Sequence, residues 1–451
     1  MILSKIASSK DNLVIFYFLF CLIFSFFLIP TVLGQGFAAK VDYGTGVTPY
    51  SVFASDLDGD TDNDLAVANA TGSTVSVFKN NGDGTFAAKV DYETGFSPLS
   101  VFASDLDGDN DLDLALANYV SYTVSVFKNN GDGTFAAKVD YPTGTGPISV
   151  FAADLDGDLD NDLAVANFDS NTVSVFKNNG DGTFAAKVDY GTGFQSLSVF
   201  AADLDGDLDN DLAVTNFGDF TVSVLKNNGD GAFAAKVDYG TGTGPYSVFA
   251  ADLDGDTDKD LAVANGSSNA VSVFKNNGDG TFAAKVDYPT GSGPYSVFAS
   301  DLDGDTDKDL AAANDHSHTV SVFKNNGDGT FAAKVDYATG TDPISVFAAD
   351  LDGDTDNDLA VANATSTTVS VLINTCSAKP GDANSSGGNP NLTDIIYLVN
   401  YVFKGGLAPV PLCRGDANGS SDAPNLTDII YLVNYVFKGG SAPIKSAVCC
   451  L

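Results

Sequence analysis

Tryptophan is absent from this chain of 451 residues, methionine occurs once and histidine twice. A mechanism built on histidine, the commonest general acid–base group, therefore has almost nowhere to reside. Basic residues are scarce too: 22 Lys and Arg face 59 Asp and Glu, for a net charge of −37. That balance argues against a nucleic-acid partner, because phosphate binding needs clustered Lys and Arg. Cysteine occurs only towards the ends, at Cys21 and at Cys376, Cys413, Cys449 and Cys450, so no disulfide lies within the stretch between them. Long apolar runs are missing as well, apart from Leu13 to Leu33.

That run follows Lys5 and Lys10, is broken by Pro30 and ends at Val32-Leu33-Gly34. It reads as a secretory signal peptide over residues 1–34, cleaved near Gly34. An uncleaved anchor is the other reading of a run this long. Cleavage would remove Cys21 and leave an extracellular protein with no membrane span. The four C-terminal cysteines are then disulfide candidates, with three connectivities open.

What the chain has in abundance is aspartate in fixed register. The first acidic nonapeptide places Asp56, Asp58, Asp60, Asp62 and Asp64 on alternate residues. The second has Asp105, Asp107, Asp109, Asp111 and Asp113, and the third Asp154, Asp156, Asp158, Asp160 and Asp162. Asp203, Asp205, Asp207, Asp209 and Asp211 follow, then Asp252, Asp254, Asp256, Asp258 and Asp260. The last two sets are Asp301, Asp303, Asp305, Asp307 and Asp309, and Asp350, Asp352, Asp354, Asp356 and Asp358. Each starts 49 residues after the one before, and together they hold 35 of the 59 acidic residues. Carboxylates so spaced repel one another unless compensated. The spacing suits Ca²⁺, which takes about six to eight oxygen ligands from alternate positions of a tight loop. A solvated acidic turn would explain one such stretch, but a repeat in constant register carries structural meaning.

Around each acidic loop the unit is the same. Copy one reads Phe37 to Tyr43, a Gly/Thr/Pro turn, Ser51 to Ser55, the loop, Leu65 to Asn69, a short loop, and Thr74 to Asn80. The turn Asn81-Gly82-Asp83-Gly84 then leads to Phe86, where the run of Phe37 begins again. Four short apolar runs between turn residues predict a four-stranded antiparallel meander. Such units bury their faces only against one another, as blades of a β-propeller do. The fold class is thus mainly β, a seven-bladed propeller of four-stranded blades over residues 35–375. Leu65-Ala66-Val67-Ala68 suits a strand covered on both faces. Phe86, Ala88, Val90 and Tyr92, alternating with Ala87, Lys89 and Asp91, suit a charged outermost edge strand. The seventh copy lacks that strand and the chain begins with a spare one. The segment Phe37 to Tyr43 is therefore predicted to pair with Thr368 to Asn374 and close the ring.

The meander sorts the loops onto two faces. Acidic loops and Asn-Gly-Asp-Gly turns share one. The other carries the loops that differ between copies, with Tyr119, Tyr122, Phe168, Phe217, Phe220, Tyr246 and Tyr295 as candidate binding residues. His316 and His318 share one of these loops and lack a third ligand for a zinc site.

The acidic loop followed by Leu-Ala-Val-Ala-Asn, with the Asn-Asn-Gly-Asp-Gly-Thr-Phe turn, resembles the FG-GAP/VCBS repeats, a family that includes the propeller of integrin α-subunits. The resemblance implies one calcium per blade, with side-chain oxygens from Asp56, Asp58, Asp60 and Asp64 and a backbone carbonyl from residue 62. The family has Gly at the sixth loop position, where this chain has Thr61, Asn110, Leu159, Leu208, Thr257, Thr306 and Thr355. If that position takes a positive φ, Thr and Leu are poor choices.

Residues 376–451 form a second, small domain. Two copies 34 residues apart each carry an oxygen-rich loop from Gly381 or Gly415, then a ten-residue helix. Thr393 and Thr427 are the expected N-caps. Ile395, Leu398, Val399 and Val402 make an apolar face that Ile429, Leu432, Val433 and Val436 repeat. The pair resembles the dockerin family, a small α-helical domain of two calcium-binding loop–helix units that docks onto a cohesin module. The resemblance implies Asp382, Asn384, Ser386 and Asp394 as ligands in one loop, and Asp416, Asn418, Ser420 and Asp428 in the other. It also implies a cohesin-like partner for residues 381–440. Ser386 and Ser420 stand where a carboxylate is usual, and each loop is one residue longer than an EF-type loop of about twelve residues. Arg414-Gly415-Asp416 is better explained by Asp416 as a loop ligand than as an adhesion tripeptide.

These features predict a secreted, non-catalytic calcium-binding protein. Its propeller is a platform for a protein or glycan, and its C-terminal pair is a tether. The alternative is a polysaccharide-binding or polysaccharide-degrading component of an extracellular complex, against which stands the lack of a distinctive acid/base pair among near-identical copies. A self-associating surface-layer component is the third reading.

Overall fold

The structure, a computed structural model, describes residues 36–375, 392–404 and 426–438. The signal-peptide reading lies outside these residues, as do all the cysteines.

Residues 36–375 form seven four-stranded antiparallel sheets. In the first blade the strands run Pro49–Ser55, Asp64–Asn69, Thr74–Phe78 and Val90–Glu93, from innermost to outermost. The second strand, Asp64–Asn69, is buried along its whole length, as its unbroken apolar run requires. Between blades lie separate apolar cores. Leu57, Ala66, Ala68, Val75 and Val77 of blade one meet Val101, Ala103, Leu114, Leu116, Phe127 and Phe135 of blade two. Large apolar side chains thus fill the gaps between sheets, where neither sheet alone could bury them.

The ring closes as expected. Val41–Gly44 pairs antiparallel with Thr368–Leu372, with Val41 opposite Val371, and an isolated bridge joins Phe37 to Asn374. The outermost strand is shorter than its sequence alternation suggests. In blade one it is only Val90–Glu93, while Phe86 bridges back to Asn80 and is buried against the neighbouring blade. Val90 is 53% exposed on the rim, so the period-2 pattern does not sort this segment into an inner and an outer face.

Three circuits run around the molecule. Phe53, Phe102, Phe151, Phe200, Phe249, Phe298 and Phe347 contact in sequence and return to Phe53, with ring centroids 4.5–4.8 Å apart. They form a closed circle of aromatic rings on the innermost strands. Ser51 Oγ accepts a hydrogen bond from the Val101 amide, and the same link repeats until Ser345 Oγ accepts from Val52. Asn129 donates from Nδ2 to the Leu57 carbonyl of the preceding blade at 2.8 Å, and Asn80 likewise reaches Leu351.

The helices Leu392–Lys404 and Leu426–Lys438 each span 13 residues, not ten. Thr393 and Thr427 therefore lie at the second position of their helices, one residue inside the start. Ile395, Leu398, Ile429 and Leu432 are buried together, flanked by Val399, Val402, Val433 and Val436, as the apolar faces predict. Among the described residues no helix is long and apolar enough to cross a membrane.

Candidate metal centres and the variable face

Each acidic loop joins the first and second strands of its blade. In blade one Asp56 braces the turn, Oδ1 accepting from the Gly59 amide at 2.8 Å and Oδ2 from the Thr61 amide at 2.9 Å. Asp60 Oδ1 accepts from the Asp62 amide. Asp64 opens the second strand, fully buried, and takes the Leu57 and Asn80 amides on its two oxygens. Burial pushes the Asp64 carboxyl up to about 6, against the pull of those two amides. The corresponding Asp358 is pushed up to about 8, again chiefly by burial.

Asp58 is held differently. Its Oδ2 meets Lys79 Nζ at 3.1 Å, while its Oδ1 is buried with no hydrogen-bond partner. Asp107, Asp156, Asp205 and Asp254 repeat that unpartnered Oδ1. Orphaned carboxylate oxygens are costly unless something positive meets them. In five blades the first, second and fifth aspartates bring ligand atoms within 4.8 Å of one another: Asp56, Asp58 and Asp64 in the first, for example, with two more such groups beyond these five. The clusters can hold a metal ion, and an all-oxygen donor set favours a hard one. Asp62 faces elsewhere, its carboxylate lying against Gly82 of its own hairpin. Neither Asp60 nor Asp62 belongs to the three-carboxylate group.

The sixth position does take a positive φ. Thr61, Asn110, Leu159, Leu208, Thr257, Thr306 and Thr355 all lie between +71° and +82°. Each loop is tucked against the hairpin of the next blade, with Gly59 beside the Gly131 carbonyl and Asp58 beside Gly133. Acidic loops and Asn-Gly-Asp-Gly turns thus share one face, as the meander requires.

On the opposite face the copies diverge. A bulge between Pro49 and Ser51 leaves Tyr50 unpaired in the register, and the same shift frees Tyr246 and Tyr295. Tyr246 stacks on Tyr295 at 4.1 Å, Phe217 leans on Tyr246, and Tyr295 meets Tyr50 edge-on with a hydroxyl–hydroxyl hydrogen bond. Burial pushes the Tyr50 and Tyr295 hydroxyls above their ordinary range. Beside this cluster, Ser267, Asn269, Asp315 and His316 line a cavity of about 290 Å³ floored by Tyr246 and Tyr295. His316 Nδ1 lies 2.9 Å from Asp315.

A family model described as "FG-GAP-like repeat" matches residues 56–116, 105–165, 154–214, 204–263, 252–312 and 301–361, each match running from one acidic loop into the next blade. The chain belongs to the FG-GAP-like repeat family. None of the curated proteins matches it. Among solved structures it is similar to virginiamycin B lyase from Staphylococcus aureus, at 12% identity and a TM-score of 0.55 over 74% of this chain and 99% of that one. It is also similar to BBS1N, solved in complex with ARL6DN, at 14% identity and a TM-score of 0.55 over 75% and 97%. A lectin from Agrocybe aegerita that recognises non-reducing terminal N-acetylglucosamine aligns at 22% identity and a TM-score of 0.48, over 71% and 87%. At these identities the likenesses to the lyase and to BBS1N show the fold alone.

In this FG-GAP-like chain the structure brings the first, second and fifth aspartates of a loop together, and the third and fourth lie outside these groups. Of the binding residues expected on the variable face, Tyr122 and Phe220 are exposed, whereas Tyr246 and Tyr295 are largely sunk in the channel mouth. Phe96, 69% exposed, and Phe194, 54% exposed, project from the loops between successive blades and were not among those expected. Their signal was present, since those loops also differ between copies: Val47, Phe96, Thr145, Phe194, Thr243, Ser292 and Thr341 occupy one position. Asp382, Asn384, Ser386, Asp416, Asn418 and Ser420 lie outside the described residues, and for Asp394 and Asp428 only their place in the helices is described.

Proposed function

We propose that this is a secreted, non-catalytic binding protein whose seven acidic loops take Ca²⁺. The observation that carries the calcium reading is the buried, unpartnered carboxylate oxygen at the second aspartate, repeated in blades one to five beside the first and fifth. Asp56, Asp58, Asp60 and Asp64, with the carbonyl of residue 62, would hold the ion in blade one, and their counterparts in the others. A bound divalent cation supplies the positive charge that five clustered carboxylates lack. The chain's own part is to brace the loop through Asp56 and anchor it to the second strand through Asp64.

The acidic loops are near copies of one another while the opposite loops differ between blades, which supports the variable face for recognition. Exposed Phe96, Val120 and Tyr122 on blade two, and Phe194 and Phe220 on blade four, support a protein partner. Residues 376–451, read as a dockerin-like domain with Asp382 and Asp416 opening its calcium loops, would tether the propeller to a cohesin-like partner.

A second reading, glycan binding, is favoured by the cavity at Tyr246, Tyr295, Asp315 and His316, which pairs an aromatic floor with hydroxyl, amide and carboxylate groups. The test is a pull-down from the producing organism's extracellular fraction. It compares the mature chain with one ending at Thr375, each with and without chelator. A calcium-dependent partner lost on truncation supports the tether. A partner kept by the shorter chain places recognition on the propeller, and loss of that partner on competition with soluble glycans selects the second reading.

A further inference from the structure

The seven acidic loops are near copies, but their surroundings are not. In blades one to six the residue after the third strand is a lysine: Lys79, Lys128, Lys177, Lys226, Lys275 and Lys324. Each ammonium pairs with the second aspartate of its own loop, at 3.1 Å for Lys79–Asp58 and 3.3 Å for Lys275–Asp254. Lys79 also donates to the Asp132 carbonyl in the next blade's hairpin. Blade seven has Ile373 at this place. Ile373 Cδ1 lies against Gly84 just as Lys79 Cε lies against Gly133, so the same slot holds an apolar group. Among the described residues Asp352 has no ion pair, and Asp352 Oδ1 and Asp354 Oδ2 are buried without hydrogen-bond partners.

We propose that the loop Asp350–Asp358 binds its cation most tightly of the seven, because it alone has no built-in ammonium competing for its carboxylates. This rests on the calcium reading above and goes beyond it by ranking the sites. Affinity of an oxygen-ligand site follows its charge count. Five carboxylates with no ammonium attract a divalent cation more strongly than five with one, and a charge difference this close is worth about tenfold or more. Loops five and six hold a further lysine each, Lys259 and Lys308, and rank lowest.

Calcium titration of the metal-free full-length chain by calorimetry tests this, alongside Ile373→Lys and Lys79→Ile. Each substitution installs a residue that another blade already carries, and circular dichroism in chelator checks that both variants fold. Ile373→Lys is expected to remove one site from the tight class, and Lys79→Ile to add one. Calcium taken up by residues 381–440 is common to all three chains and cancels in the comparison. Binding with the tight count unchanged in both variants overturns this inference and leaves the calcium reading intact. Absence of binding by every chain overturns the calcium reading itself.

Discussion

Leucine is an unexpected residue to find at φ +75°, yet Leu159 and Leu208 both hold it. The left-handed region costs an L-residue with a Cβ about 1–2 kcal/mol. Both side chains are 88% exposed, so no packing offsets that cost. Leu159→Gly should therefore raise the melting temperature by an amount equivalent to about 1 kcal/mol, glycine's looser unfolded state cancelling part of the gain. Asn110→Gly should gain least, because asparagine tolerates this region. The buried fifth aspartates set a pH dependence. Their folded-state values are raised to about 6 at Asp64 and about 8 at Asp358, so the folded chain binds protons that the unfolded chain has already lost. In chelator, stability should then fall as pH rises from about 4 to 8. Calcium needs the ionised carboxylates, so its stabilising increment should grow over the same range. Melting curves at pH 5 and pH 8, with and without calcium, check both signs. A metal-free chain more stable at pH 8 would contradict the first. At this scale the strained sixth position was legible, since a departure from Gly shows in the letters. The bulge that turns Tyr50 into the channel mouth was not, because Tyr50, Leu99 and Ile148 occupy the same slot and nothing in their alternation marks an extra residue.

One of the repeated links between adjacent blades is the first asparagine of the hairpin. Asn178 is buried, donates its backbone amide to Asp162 Oδ1, and donates from Nδ2 to the carbonyls of Leu106 and Asn161. Asn178→Ala removes the donor from the Leu106 carbonyl in a buried site and from the part-buried Asn161 carbonyl, and should cost about 1–3 kcal/mol. The neighbouring Asn179 is exposed and reaches only Thr183 of its own turn, so Asn179→Ala should stay within about 0.5 kcal/mol. Denaturant melts of the two variants separate a strap between blades from a merely polar turn. Equal losses would remove that distinction. Strand existence and order were readable because turn residues punctuate four apolar runs per unit. The outermost strand was not bounded correctly, because Phe86 is drawn into the core between blades and Tyr92 covers Phe127 and Phe135 of the next one. Tertiary packing there overrides the local alternation.

The whole ring depends on a seam that joins the two ends of the propeller. Blade number and closure were legible from counting: seven acidic loops, and one strand without a blade of its own. Loop pairing across blades was not, because it joins residues that only the closed ring brings together, such as Asn63 Nδ2 and the Asp350 carbonyl. At the seam, Val41–Gly44 supplies the outer strand of blade seven, and Tyr43 packs edge-on against Phe86 at 5.2 Å and Phe78 at 6.5 Å in blade one. Ser370 Oγ donates to Asp42 at 2.6 Å, tying the third strand to this outer one. A chain that begins at Pro49 would lose all of these and leave Thr368–Leu372 as an unpaired edge. Exposed edges recruit other strands. The expected outcome is a lower melting temperature and self-association, read by light scattering. A synthetic peptide of residues 36–48 should compete for the vacant edge and shift the population back to monomer. A shortened chain that stayed monomeric, with an unchanged melting temperature, would show that the interblade cores alone keep the ring shut and that the borrowed strand is dispensable.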